Sequence, residues 1–135
     1  MIASGVHHIS FTVSDLERSR RFYGRILGFE PIERPDLGVP GEWYTAGNAE
    51  IHLIQLPAGA DVGTPAPALT PLANHNAFAI DDYEATVKHF KSHQIDVFET
   101  SAENGQLWVR DPDGNILEFI ESRVRPAAVG EGSQR

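Results

Sequence analysis

Four side chains in this sequence bring together nitrogen and oxygen donors of the kind that hold one divalent cation: His8, His52, His75 and Glu118. Each falls in a stretch whose polarity alternates every second residue, so neighbours two positions away share its side of a strand. His8 goes with Ser10 and Thr12, and His75 with Ala77 and Ala79, small or polar companions that leave room for a ligand. The opposite parity holds Ile9, Phe11, Phe78 and Ile80, which are bulky and suit packing under helices. His52 shares its side with Ile54 and Leu56, and Glu118 with Ile116 and Ile120, so the expected trough is otherwise apolar. A bare carboxylate there is costly, and a cation bonded by all four groups removes the cost. Glu118 is the one carboxylate that parity places on this side, which makes it both a ligand and the candidate catalytic base. The chain has no cysteine, so the cation is one at home with nitrogen and oxygen: Zn, Ni, Co, Mn or Fe, one ion per site.

The elements that must carry these residues read as the same unit twice. Residues 6–13 alternate as a strand, Ser14 and Asp15 offer N-cap chemistry, and a helix of about three turns runs to Gly28. Strands are expected at 29–34, 42–46 and 50–56, giving β-α-β-β-β. A stretch rich in Pro, Gly and Ala (58–73) reads as a linker between module one (5–57) and module two (74–122). The second module has strands at 74–81, 95–101, 106–110 and 115–121 and a helix over 82–93, with Asp111-Pro112-Asp113-Gly114 as turn chemistry. His8 to Asp15 lies over His75 to Asp82 at an offset of 67, with His, Phe and Asp coinciding. Trp43 precedes His52 by nine positions and Trp108 precedes Glu118 by ten, so His52 and Glu118 are equivalent points of the repeat.

Composition narrows the classes. At 135 residues the chain suits one domain, 1–124, followed by a tail at 125–135 without periodicity that is expected to be disordered. No stretch nears the roughly 20 apolar residues of a membrane span. Residues 1–5 lack a basic region and an apolar signal core, so a cytoplasmic location is expected. A formal net charge of -8 with no Lys/Arg stripe opposes nucleic acid and leaves a small molecule as the expected partner. His89 and His93, beside Lys88 and Lys91, read as a solvated helix face, and His7 as structural because it points away from the trough. Trp43, Tyr44 and Trp108 could stack on an aromatic ligand or simply fill the sheet.

The chain resembles the vicinal oxygen chelate superfamily, which holds glyoxalase I, methylmalonyl-CoA epimerase, fosfomycin-modifying enzymes, extradiol dioxygenases and bleomycin-binding proteins. The resemblance is carried by residues 8–17, by Phe22-Tyr23 and Leu27-Gly28-Phe29, and by Ile51-His52-Leu53. It continues through His75 and then from Asp111-Pro112-Asp113-Gly114-Asn115 to Leu117-Glu118-Phe119. It implies an α+β fold of paired βαβββ modules whose mixed sheet curls around a metal cavity, with helices outside. It assigns the metal to His8, His52, His75 and Glu118, and it implies a homodimer, with the modules paired within a chain or exchanged between chains. The activity it implies first is a metal-dependent lyase or isomerase of the glyoxalase I type. Such an enzyme stabilises an enediolate of a substrate that chelates the ion through adjacent oxygens. Glyoxalases of the superfamily carry Glu, and the epimerases Gln, where this chain has His52. Fosfomycin-type transfer, in which a hydroxyl at Ser10 contacts substrate, is the second reading. Extradiol dioxygenation through His8, His75 and Glu118, and metal-free binding of a bleomycin-like ligand by Trp43 and Trp108, are the remaining two.

Overall fold

The computed structural model describes residues 1–123, so the tail expected at 125–135 lies outside the described residues. The chain forms two compact units. Unit 1 is Met1–Pro65 together with Asp111–Gly114, and unit 2 is Ala66–Arg110 with the chain from Asn115 onward.

Unit 1 contains strand β1 (His8–Val13), helix α1 (Leu16–Arg20) running into a π-helical segment (Arg21–Ile26), and strands β2 (Glu30–Ile32), β3 (Gly41–Thr45) and β4 (Glu50–Gln55). Unit 2 repeats the plan with β5 (Asn76–Ile80), α2 (Tyr83–Ser92), β6 (Phe98–Glu99), β7 (Gln106–Arg110) and β8 (Ile116–Glu121). The sheets have the orders β1-β4-β3-β2 and β5-β8-β7-β6. In each, the first and last strands of the module run parallel and the rest antiparallel. This is the expected α+β class, built from paired βαβββ modules.

Alternation in the sequence becomes alternation in burial. Phe11 and Val13 of β1 are buried, as are Leu16, Phe22 and Tyr23, with Phe11 stacked on Tyr23 at 5.3 Å, while His8 and Ser10 on the other parity are exposed. In unit 2 the helix face Tyr83, Val87 and Phe90 is buried, as are Leu107, Val109, Leu117 and Phe119 of β7 and β8. Both helices start on an aspartate in extended conformation. Asp15 Oδ1 accepts from Arg18 N at 3.1 Å and Asp82 Oδ1 from Ala85 N at 2.9 Å, caps worth about 1 kcal/mol each.

Three elements differ from the expected ones. The first helix is not regular: after Arg20 its turns widen, Leu27 N reaching Phe22 O at 2.9 Å, and the segment closes at Gly28 with φ +78°. The neighbours Phe22 and Tyr23 are both buried there. The strand expected over 29–34 is only Glu30–Ile32, because the chain then folds back and Arg34 Nη2 donates to Val39 O at 3.0 Å. The strand expected over 95–101 shrinks to Phe98–Glu99 after a left-handed residue, Gln94, at φ 59°.

The Asp111–Gly114 turn does more than reverse the chain. Asp111 is 4% exposed and accepts from Tyr23 Oη at 2.6 Å, while Asp113 Oδ1 accepts from Ser14 N at 3.0 Å and from Ser14 Oγ at 2.6 Å. Within unit 1, Asp113 thus braces the start of α1 and Asp111 the π-helical segment that follows it. Among the described residues, no helix is long and apolar enough to cross a membrane.

Candidate metal centre

Register decides which side chains meet on each sheet. In unit 1, Ser10 of β1, His52 of β4 and Trp43 of β3 are Cα partners in one row. In unit 2 the corresponding row is Ala77, Glu118 and Trp108. The equivalence of His52 with Glu118, and of Trp43 with Trp108, is thus a structural fact as well as a sequence one.

Unit 1 brings His8 and His52 together. Their rings stack with centroids 4.1 Å apart, and Trp43 stacks on the other side of His52 at 4.0 Å and 5°. His52, 7% exposed, is therefore sandwiched flat between two rings. Its Nε2 donates to Glu50 Oε2 at 2.8 Å. His7 is exposed, and its Nδ1 lies 2.9 Å from Nδ1 of His8. His7 O accepts from Glu50 N at the mouth of the β1–β4 pair, but its ring is exposed and meets that of His8 edge-on at 5.1 Å, so its side chain is not the structural one expected.

Unit 2 brings His75 and Glu118 together, with Nε2 of the imidazole 3.2 Å from Oε2 of the carboxylate. His75 stands one residue before β5, and its Nδ1 donates to Ala73 O at 2.7 Å. In a neutral ring that bond leaves the lone pair on Nε2, facing Oε2. The other oxygen, Oε1, accepts from Gln106 Nε2 at 2.7 Å. Two electron-rich atoms so turned toward each other need a proton or a cation between them. A backbone carbonyl fixing the far nitrogen is also how metal-binding imidazoles are held. Trp108, 5% exposed, stands edge-on to His75 with centroids 6.1 Å apart. Its Nε1 is buried with no hydrogen-bond partner among the described residues.

Each unit thus supplies a pair of donors, and the donor chemistry fits a borderline divalent ion bound by nitrogen and oxygen. Among the described residues no three His, Asp or Glu side chains are gathered as a ready ligand set. The solvated reading of His89 and His93 agrees with their exposure on α2, ring centroids 4.8 Å apart.

Two polar neighbours of these pairs were not anticipated. Glu50 shares the parity of His52, so Glu118 is not the sole carboxylate on the ligand side, and with Ser10 and Thr45 also there the unit 1 trough is less apolar than expected. Gln106, on the parity of Trp108, reaches Glu118 from the neighbouring strand. The i, i+2 spacing that puts His52 on the ligand side puts Glu50 there as well, and it puts Gln106 beside Trp108.

The chain matches the family model described as the Glyoxalase/Bleomycin resistance protein/Dioxygenase superfamily over residues 5–119. It belongs to that superfamily. It is 29% identical to "Glyoxylase I 4" of Arabidopsis thaliana, over 95% of this chain and 78% of that protein. It is 29% identical to the metallothiol transferase FosB of Staphylococcus epidermidis, over 88% of this chain and 82% of that one. Among solved structures, a glyoxalase family protein from Bacillus anthracis superposes with a TM-score of 0.72 at 27% identity, covering 90% of this chain and 97% of that one.

Proposed function

We propose that this chain is a divalent-metal-dependent enzyme of the glyoxalase I type, a lyase or isomerase of a small substrate that offers two adjacent oxygens. The observation that carries the reading is the pair of repeat-equivalent donor sets, His8 with His52 and His75 with Glu118. In this reading the two pairs bind one ion, completed within a chain or between the two copies of a homodimer. When bound, the cation supplies Lewis-acid stabilisation of negative charge developing on the two substrate oxygens.

The chain's own residues do the rest. Ala73 O and Gln106 hold His75 and Glu118 with one nitrogen and one oxygen left for binding. Glu118 is the group that takes a proton from the carbon beside the substrate carbonyl and delivers it to the former carbonyl carbon. Ser10, exposed beside His52 in the same row, can donate to a substrate oxygen, and Trp43 and Trp108 wall the two rows. The location proposed is the cytoplasm.

Metal analysis of the purified chain tests the first half of the reading: near one ion per chain is expected, and none turns the choice to a metal-free binder. A panel of 2-oxoaldehyde hemithioacetals, acyl-CoA epimers, catechols, and fosfomycin with a thiol tests the second. Turnover is expected with the hemithioacetals and lost in Glu118→Gln. The second reading is thiol transfer to fosfomycin, favoured by the Ser10 hydroxyl beside His52 and by the likeness to a metallothiol transferase. Turnover in that arm alone would establish it in place of the first.

A further inference from the structure

His52 is held by two kinds of contact that constrain different things. The rings of His8 and Trp43, at 4.1 and 4.0 Å, fix the plane of the imidazole. Stacking is nearly indifferent to turning the ring over in that plane, because the two faces are alike. Such a turn exchanges nitrogen for carbon at each edge, and it hardly changes the area buried. The hydrogen bond to Glu50 is not indifferent: a carbon placed 2.8 Å from Oε2 would forfeit it, and the side chain of His52 is only 9% exposed, so water is a poor substitute.

From this we infer that Glu50 is a positioning residue of the centre, fixing both the orientation and the tautomer of His52. Its carboxylate can only accept, so Nε2 carries the proton and Nδ1 carries the lone pair. Because a metal-binding imidazole must offer an unprotonated nitrogen, Nδ1 is the atom His52 presents. His75 is set the opposite way, with Nδ1 donating to Ala73 O and Nε2 presented. One half of the repeat therefore orients its histidine with a carboxylate and the other with a backbone carbonyl. Glu50 is 35% exposed at its side chain and lies opposite His8 in the register, on the edge of the same row system. It orients the ligand from the rim and adds no bulk to the floor.

The presentation of Nδ1 to a cation rests on the metal reading above, whereas the hold on the ring does not. Long-range proton–nitrogen correlation spectra of the full-length, metal-free protein, with its histidines labelled with nitrogen-15, read the tautomer directly. The expected result is His52 protonated at Nε2 in the wild type and in Glu50→Gln, whose amide oxygen still accepts, and a mixture of tautomers in Glu50→Ala. Zinc titration of the wild type should then perturb Nδ1 of His52, with affinity falling about 10–100-fold in Glu50→Ala and less in Glu50→Gln. A wild-type His52 protonated at Nδ1, a Glu50→Ala spectrum identical to the wild type, or zinc arriving at Nε2 would each overturn the assignment. If zinc binds nowhere but the tautomers behave as expected, the metal reading fails and the hold of Glu50 on the ring stands.

Discussion

Tyr23 and Asp111 form a deeply buried polar pair, and the sequence motifs that contain them give no sign that the two side chains meet. Burial, with the Asp111 carboxylate adding to it, pushes the Tyr23 hydroxyl well above its ordinary value of 10.0. The neutral hydroxyl thus stabilises the fold fully below the unfolded value, and that contribution is lost as pH rises above about 10. Tyr23→Phe removes one donor from the buried Asp111 carboxylate, whose Oδ1 still accepts from Asp113 N at 3.0 Å, and should cost about 1–3 kcal/mol in urea unfolding at neutral pH. The same variant should show a shallower alkaline loss of stability than the wild type. At the candidate centre, alternation in the sequence singles out the four proposed donors. Of the contacts that turn these donors, Glu50 on His52 is made within one strand at i, i+2, whereas Gln106 on Glu118 depends on which strands lie side by side.

Strand ends and turns carry the second level of control. Gly41 opens β3 so close to β4 that a Cβ there would meet Leu53 O at 2.3 Å, a backbone atom that cannot step aside. Gly41→Ala should therefore cost about 1–3 kcal/mol by thermal or urea melting and shift the fluorescence of the β3 tryptophan, Trp43. At the far end of the second sheet, Glu121 accepts from Tyr83 N at 2.8 Å and pairs with Arg123, tying β8 to the first turn of α2. The Tyr83 backbone donor, followed by Arg123, holds the Glu121 carboxyl below its ordinary 4.5. A lowered carboxyl contributes stability above the unfolded value and loses it as pH falls through the folded one. Glu121→Gln should flatten the acid limb of a stability profile below about pH 4.5, with little change at alkaline pH. The helix cap at Asp15 was legible because capping is local in sequence, whereas Asp82, expected as the first helical residue, is the cap of α2. The widening of the first helix was not legible, since its apolar spacing is compatible with either form.

At the level of the whole molecule, each unit holds half of the proposed ligand set, so removing either half should abolish tight cation binding. His8→Ala with His52→Ala, and separately His75→Ala with Glu118→Ala, are each expected to lose the metal when binding is followed by competition with a chelator. The proposed homodimer predicts sedimentation at twice the mass of one chain. Mixing the two double variants then distinguishes the arrangements: binding regained in the mixture means that each site draws its pairs from two copies, and none regained means that one chain supplies both.

By itself the sequence determined the two repeated modules and singled out the four proposed donors. Those properties follow from alternation, capping and turn chemistry over a few residues. Tertiary structure alone decided that His52 lies between two aromatic rings, that Tyr23 meets a carboxylate 88 positions away, and that Gln106 reaches Glu118 from the neighbouring strand. These are consequences of register between strands and of a turn folding onto a distant helix. Neither is fixed by any local pattern, because a strand states which faces it has but not which neighbour it will take.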